Sequence, residues 1–200
     1  MVEIILSWHY TKWQGGISMD NCAVIGHRPT RFKFKYNENN TGCKRLKKRL
    51  YDQFILLYKQ GVRRFLIGGS LGVDIWSGEI LLKLKEQPEY RDIELALVLP
   101  HPAHDAQWDQ RSRNRLAFLL AHSADHVTMG TQVNAESYRR RNRYLVDHAD
   151  CLLAVYDNDR TVRSGTGQTV RYAEKLEMPI VLIHPDTGIV TEMYTGSNNR

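Results

Sequence analysis

Short apolar runs alternate along this chain with segments whose apolar residues recur at helical spacing. The runs predict strands at residues 22–26, 64–68, 93–99, 126–129, 150–156 and 180–184, and the helical patterns predict helices at residues 43–58, 73–86, 107–122, 137–148 and 166–177. Strands that are continuously apolar need cover on both faces, and here each is followed by a helix or lies next to one. The sequence therefore predicts an α/β fold, a Rossmann-like three-layer sandwich with a mostly parallel sheet.

Two glycine-rich turns lie between a predicted strand and a predicted helix. The first is Gly-Gly-Ser-Leu-Gly-Val-Asp at residues 68–74, and the second is Ser-Gly-Thr-Gly-Gln-Thr at residues 164–169. Glycine lets an anion approach the backbone, and the first amides of the following helix donate hydrogen bonds at the positive end of its dipole. Neither turn has the P-loop pattern or GxGxxG, so the pair predicts a phosphate site outside the common ATPase and dehydrogenase types.

In a parallel sheet of this kind a ligand binds beyond the carboxyl ends of the strands, where the strand order reverses. His27 and Arg28 follow the first predicted strand, and Arg141 and Asn142 lie in a helix expected to point at the same edge. A guanidinium such as that of Arg28 can hold a phosphate through two parallel hydrogen bonds. Of the arginines at positions 139, 140, 141 and 143, one or two are expected to face the cleft.

Four segments carry a resemblance to a known family. They are Gly-His-Arg-Pro at residues 26–29, Gly-Ser-Leu-Gly-Val-Asp at 69–74, Arg-Arg-Asn-Arg-Tyr-Leu-Val-Asp at 140–147 and Gly-Thr-Gly-Gln-Thr-Val-Arg-Tyr-Ala at 165–173. Over roughly residues 22–183 the chain resembles the YpsA-like branch of the SLOG superfamily, a domain of unknown function. The resemblance implies a protein of bacterial or phage type and a fold whose related domains commonly pair, so a homodimer is an open expectation.

The same resemblance implies several functions, because the superfamily includes single-stranded DNA-binding proteins, phosphoribohydrolases of the "lonely guy" type and sensors of nucleotides related to NAD or ADP-ribose. The phosphoribohydrolases carry a catalytic carboxylate where this chain has Thr169, and a threonine cannot replace that carboxylate chemically. We therefore expect a binding or sensor protein for a nucleotide or ADP-ribose-like ligand, with no cofactor assigned. An N-glycosidase using Asp74 or Glu79 and a single-stranded DNA-binding protein stay as alternatives.

The expected ligand-binding residues lie in the four segments. They are Gly26, His27, Arg28, Gly68, Gly69, Ser70, Gly72, Asp74, Arg141, Asn142, Gly165, Thr166, Gly167 and Thr169. Several of these have a structural alternative. The glycines could serve close helix–sheet packing, Asp74 could cap its helix, and Asn142 could cap a helix or read a base or ribose. Contact with the ligand is favoured for Gly69 and Gly72 because both flank the expected cleft.

Composition limits the remaining functions. The formal charge of +6 permits a nucleic acid or a phosphorylated small molecule as partner, and three cysteines without CxxC spacing fit a reducing cytoplasm. No apolar stretch is long enough to cross a bilayer, and the histidines do not have zinc-site spacing. We expect an N-terminal extension at residues 1–21, one domain at 22–187 and a tail at 188–200, with the basic run at 44–49 on a solvated helix face.

Overall fold

The computed structural model describes residues 19–193 of the chain. Within this range the chain forms seven strands and five α-helices. In chain order they are β1 (Asn21–Gly26), α1 (Thr41–Lys59), β2 (Arg64–Ile67), α2 (Val73–Lys85), β3 (Glu94–Leu99), α3 (Gln110–His122), β4 (Asp125–Thr128), α4 (Ala135–Asp147), β5 (Cys151–Val155), α5 (Gly165–Lys175), β6 (Ile180–Ile183) and β7 (Val190–Met193). The expected N-terminal extension up to residue 18 and the expected tail from residue 194 lie outside the described residues.

The strands form one sheet in the order β4-β3-β2-β1-β5-β6-β7. All neighbouring pairs run parallel except β6 and β7, which are antiparallel. The predicted α/β fold with a mostly parallel sheet is therefore confirmed. The sequence did not predict β7, a short strand with exposed residues that lies within the segment expected to be a tail.

The helix boundaries follow from local capping. The Asn40 side chain accepts a hydrogen bond from the Gly42 amide, so α1 begins two residues before the predicted start. The Asp109 side chain accepts from the Ser112 amide, and α3 begins at residue 110 rather than at 107. Asparagine and aspartate are favoured at these positions because their oxygens satisfy an amide that has no acceptor within the helix.

Helices cover both faces of the sheet, which explains why the inner strands are apolar throughout. In β1, Cys22 and Val24 pack on the side of α1, α2 and α3, while Ala23 and Ile25 pack on the side of α4 and α5. Residues alternate between the two faces of a strand, so a strand covered on both sides buries every side chain. The cysteines of β1 and β5, Cys22 and Cys151, are buried and are register partners in the sheet.

The strand order reverses beside β1. From β1 the chain proceeds outward through β2, β3 and β4 on one side, and later returns to place β5 on the other side. The segments that follow β1 and β5 therefore diverge and leave a crevice at the carboxyl ends of these two strands. Among residues 19–193, none of the helices combines the length and apolarity that crossing a bilayer would require.

Candidate functional site

A cavity of about 350 Å³ opens at this crevice, and we call it the switch-point cavity. The loop after β1, the turn before α2, the second turn of α4 and the start of α5 all contribute to its wall. Its lining includes these residues expected from the sequence: Gly26, His27, Arg28, Ser70, Asp74, Arg141, Asn142, Gly165, Thr166 and Thr169. The topology therefore brings together four segments that are far apart in the chain.

Arg141 is the most deeply buried cation of the cavity, with 6% of its surface exposed. Its Nη1 lies 3.3 Å from Asp74 Oδ2, and its Nη2 donates to Ser70 Oγ at 3.2 Å. The Nε–H has no hydrogen-bond partner among the described residues. A buried guanidinium with an unused donor is costly unless a further acceptor arrives, so Arg141 has the chemistry to receive an anion.

Gly68 makes room for this arginine. A Cβ at position 68 would lie 1.3 Å from Arg141 Nη1 and 2.9 Å from Asp74 Oδ2. No side chain fits there while the guanidinium occupies its place. Gly68 does not line the cavity itself, so its contribution to the site is the space it leaves for Arg141.

Asp74 lies at the second position of α2 and does not cap that helix, because Gly72 is the N-cap residue. Its Oδ2 accepts a hydrogen bond from the Ser70 amide at 3.0 Å and pairs with Arg141. Burial raises the pKa of Asp74, while the neighbouring Arg141 and the Ser70 amide oppose that rise. Asp74 thus fixes both the turn and the arginine.

The other glycines of the first turn pack against protein. Gly69 has a φ of +66°, and a Cβ there would lie 2.7 Å from Leu99 Cδ2. Gly72 has a φ of +94°, and a Cβ there would lie 2.8 Å from the carbonyl oxygen of His27. Neither residue lines the switch-point cavity. The described geometry of Gly69 and Gly72 thus corresponds to the packing alternative, and the first turn reaches the cavity through Ser70 and Asp74.

The second turn presents backbone to the cavity. Ser164 caps α5 by accepting the Gly167 amide on its Oγ at 3.0 Å. The amides of Gly165 and Thr166 lie in the first turn of α5, where no carbonyl of the helix is placed to accept a hydrogen bond from them. They therefore remain available to a ligand. A Cβ at position 165 would meet nothing closer than Asn142 Nδ2 at 3.9 Å, whereas one at position 167 would lie 2.6 Å from the Tyr156 hydroxyl.

The two threonines of this turn differ in their hydrogen bonds. Thr169 is buried, and its Oγ1 donates to the Gly165 carbonyl at 2.9 Å, so its one hydroxyl proton is already in use. Thr166 is half-buried and lines the cavity. Thr166 is therefore the better hydroxyl donor to a ligand.

His27 is buried, although a loop position would normally leave a histidine at the surface. Burial lowers its pKa, and Asp157, whose Oδ1 lies 3.8 Å from His27 Nε2, counters part of that effect. Its ring packs edge-on against Phe32 and Tyr156. A lowered pKa keeps the imidazole neutral near pH 7, so His27 offers a hydrogen bond at the cavity rather than a charge.

The charge of the cavity is strongly positive. Four arginines line it, namely Arg28, Arg31, Arg141 and Arg163. Among the described residues of its wall, Asp74 is the one carboxylate, and it is already paired with Arg141. Such an excess of fixed cations, together with the positive end of α5, favours an anionic occupant.

The structure also shows where other candidate residues lie. Glu79 pairs with Arg115 on the outer side of α2, away from the cavity, so it is not placed for catalysis there. Arg115 also pairs with Glu38, and the pKa of Glu38 falls to about 2 because its hydrogen bonds from Arg115 and Lys47 outweigh burial.

The arginine run of α4 divides as its helical spacing requires. Arg141 faces the cavity, whereas Arg139 and Arg140 point outward and pair with Glu136. The helix begins at Ala135, so Arg141 lies in its second turn rather than at its start. Arg45, Lys47 and Lys48 of α1 make polar contacts away from the cavity, consistent with a solvated face.

Sequence reasoning missed Tyr138, Arg31 and Arg163. Tyr138 lies one helical turn before Arg141 on the same face of α4, and its ring is 5.3 Å from the Arg28 guanidinium carbon. Arg163 directly precedes the second glycine-rich turn. Tyr138 could have been found from its helical spacing to Arg141, and Arg163 from its position next to residue 164. Within residues 19–193, no group of three or more His, Cys, Asp or Glu side chains is arranged to hold a metal ion.

Comparison with known families gives one clear match. The family described as the YspA SLOG family, also written YpsA, matches residues 22–187. A UPF0398 protein of Halalkalibacterium halodurans is 34% identical over 127 residues, which span 62% of this chain and 66% of that protein. A UPF0398 protein of Bacillus cereus strain G9842 is 32% identical over 142 residues, spanning 69% of this chain and 74% of that protein.

Two solved structures share the fold at low sequence identity. DNA processing protein A from Helicobacter pylori, described in terms of its single-stranded DNA binding mode, superposes with a TM-score of 0.54 at 18% identity, covering 82% of this chain and 65% of that one. DNA processing protein A from Streptococcus pneumoniae gives a TM-score of 0.55 at 15% identity, covering 83% and 50%. At these identities the likeness concerns the fold alone.

Proposed function

The chain belongs to the YpsA SLOG family, and we propose that it is a binding or sensor protein for a nucleotide-like ligand whose phosphate occupies the switch-point cavity. One observation carries this proposal. Arg141, a buried guanidinium whose Nε–H has no hydrogen-bond partner among the described residues, lines a cavity together with three further arginines and the amino end of α5.

The donors suit a phosphate in their type and number. The amides of Gly165 and Thr166 offer two donors at the positive end of a helix dipole, and the Thr166 hydroxyl offers a third. Arg28 can close over the anion from the loop after β1 with a planar, forked set of donors. We assign the phosphate to the space between α5 and Arg141 because both line the same cavity and both offer hydrogen-bond donors.

Ser70 and Asn142 suit the sugar. Both line the same cavity with groups that donate and accept hydrogen bonds, as ribose hydroxyls do. Asp74 also lines the cavity, but Arg141 and the Ser70 amide already engage its Oδ2. We propose that Asp74 holds the arginine first and contacts ribose second.

An enzymatic role is the second candidate, and Asp74 is the specific reason to consider it. Burial raises the pKa of this carboxyl, and it is the one carboxylate that lines the cavity among the described residues. A carboxylic acid of raised pKa beside a bound nucleotide could act on an N-glycosidic bond, in the manner of the carboxylates of glycosidases. Its ion pair with Arg141 weighs against this role.

The test is calorimetric titration of the full chain with AMP, ADP-ribose, NAD and a short single-stranded DNA. Thr166→Glu places a carboxylate at the proposed phosphate position and is expected to weaken nucleotide binding at least tenfold. Gln168→Glu adds the same charge to the same helix at a residue that does not line the cavity, and it is expected to bind as the parent does.

Other results of this titration would contradict the proposed site or favour an alternative function. Equal loss of affinity in both variants, or no binding of any nucleotide by the parent, would contradict the proposed site. Binding of DNA alone, weakening steeply with salt, would favour the nucleic-acid alternative. Free base released from a bound nucleotide, and lost in Asp74→Asn, would assign the enzymatic role.

A further inference from the structure

A second cavity of about 360 Å³ adjoins the switch-point cavity, and we call it the aromatic cavity. Arg28, Thr30 and Tyr138 line both cavities and form the wall between them. The first glycine-rich turn also reaches both, with Ser70 in the switch-point cavity and Leu71 in the aromatic cavity. One ligand with two parts could therefore occupy both spaces across this shared wall.

The aromatic cavity differs in chemistry from its neighbour. Trp108, Tyr138 and His104 form its wall, and the His104 ring lies edge-on to Trp108 with ring centroids 5.2 Å apart. Arg28 is the one arginine among the described lining residues, and Asp109 adds a carboxylate. With little excess positive charge and several rings, the cavity favours a neutral planar group over a second anion.

His104 gives this cavity a specific polar contact. It is 6% exposed, and its Nε2 lies 3.1 Å from the carbonyl oxygen of Gly69. A carbonyl only accepts, so Nε2 carries the proton and Nδ1 is an acceptor that has no partner among the described residues. The pKa of His104 is lowered to about 4 by burial and by Arg141, so the ring is neutral near pH 7.

We propose that the aromatic cavity holds the base of a nucleoside 5′-phosphate whose phosphate lies in the switch-point cavity. This inference rests on the function proposed above and narrows it to ligands with both a phosphate and a planar base. Trp108 provides the stacking surface, and Tyr138, which lines both cavities, lies against the ribose. The side-chain amide of Gln107, an exposed residue of the lining, is the group that would hydrogen-bond the edge of the base.

The experiment compares the sugar phosphate alone, the nucleoside alone and the complete nucleotide. Ribose 5-phosphate, adenosine and AMP are titrated calorimetrically into the full chain and into Trp108→Leu, Trp108→Phe and Phe118→Leu. Phe118 is an exposed aromatic residue that lines neither cavity, so its variant is the matched control. Quenching of tryptophan fluorescence by AMP, compared with ribose 5-phosphate, provides an independent signal of stacking.

Stacking on an aromatic side chain contributes enough for a change of about tenfold or more in affinity. We expect AMP to bind the parent more tightly than ribose 5-phosphate does, and Trp108→Leu to remove most of that advantage without changing the affinity for ribose 5-phosphate. Trp108→Phe should retain most of it, and Phe118→Leu all of it. AMP, but not ribose 5-phosphate, should quench fluorescence in the parent, and Trp108→Phe should lose that quenching.

Other results separate this inference from the function on which it rests. If ribose 5-phosphate binds but AMP binds no more tightly, or if Trp108→Leu leaves AMP affinity unchanged, the aromatic cavity does not hold the base although the phosphate site stands. If Trp108→Leu weakens ribose 5-phosphate as much as AMP, Trp108 acts through packing and the inference fails. If neither ligand binds the parent, both proposals fail.

Discussion

The two glycine-rich turns resemble each other in sequence but differ in what surrounds them. In the first turn, residues 68–74, each glycine faces protein atoms, namely Arg141 at Gly68, Leu99 at Gly69 and the His27 carbonyl at Gly72. In the second turn, Gly165 has no atom closer than 3.9 Å to a virtual Cβ and lines the switch-point cavity. The glycines of the first turn are all packed against protein, whereas the second turn is open to the cavity at Gly165 and packed at Gly167, where a Cβ would lie 2.6 Å from the Tyr156 hydroxyl.

This difference shows that glycine-rich turns between strand and helix arise for two physical reasons. One is close packing, in which the missing side chain makes room for a neighbour or the backbone needs a positive φ. The other is close approach of a ligand to the backbone. Both reasons produce the same glycine-rich pattern in the sequence. The identity of the neighbouring atoms distinguishes them.

The largest expected effect comes from breaking the ion pair between Arg141 and Asp74, which fixes the first turn. Arg141→Met removes the partner of the buried Asp74, and an uncompensated buried carboxylate costs about 3–5 kcal/mol in the free energy of unfolding. The double variant Arg141→Met/Asp74→Asn removes both charges and should recover more than half of that loss. Urea unfolding at pH 7.5 measures both, and equal loss in the single and double variants would show that this ion pair does not hold the turn.

Glycine substitutions compare the two turns directly. Gly72→Ala must place a Cβ 2.8 Å from a backbone oxygen at a φ of +94°, so we expect a loss of about 2–3 kcal/mol. Gly165→Ala makes only an ordinary contact, 3.9 Å from Asn142 Nδ2, in the first turn of a helix, and its stability should change by less than about 0.5 kcal/mol. Chemical denaturation of both variants provides the measurement. If Gly165→Ala were the less stable protein, the contrast between the turns would be wrong.

Lowering the pH should reduce the stability of the protein through His104, whose Nε2–H donates to the Gly69 carbonyl of the first turn. Its pKa is lowered to about 4 from an ordinary value of 6.5, so between these values the unfolded chain binds the proton and the folded chain does not. Stability is therefore full above pH 6.5 and decreases as the pH falls toward 4, by about 2 kcal/mol between pH 7 and pH 5.

The matched variant for this pH effect is His104→Gln, whose amide can still donate to Gly69 but does not titrate. Urea unfolding at pH 7 and pH 5 should give a smaller difference for the variant than for the parent. An identical pH dependence in the two proteins would show that His104 is not the responsible group.

Much of the fold was predictable because it depends on local patterns. Leu46, Leu50, Phe54 and Leu57 recur at helical spacing, and all four are buried in α1. The strand β7 was not predictable in this way, because its exposed and partly buried residues carry no apolar run. An edge strand of this kind forms by pairing with β6, which is a property of the assembled sheet.

The candidate site was predictable in its position and less so in its details. The loop after β1 and the turn before α5 follow parallel strands, so their meeting at one edge follows from topology. Tyr138 and the aromatic cavity were not expected, because the cavity forms where α4, the segment at residues 104–109 and the loop at residues 28–30 converge. Helical spacing from Arg141 gave a local signal for Tyr138, but the convergence of distant segments that forms the cavity gave none.

The sequence alone determined the α/β class, the parallel sheet and the segments that line the switch-point cavity, since periodicity and turn chemistry act over a few residues. The tertiary structure alone decided which atoms surround each glycine and that Asp74 and Arg141 form a buried pair. Those surroundings cannot be read locally, because the atoms nearest to Gly68 belong to a residue more than seventy positions later in the chain. Packing between distant segments thus separates the turn that stabilises the fold from the turn that faces the cavity.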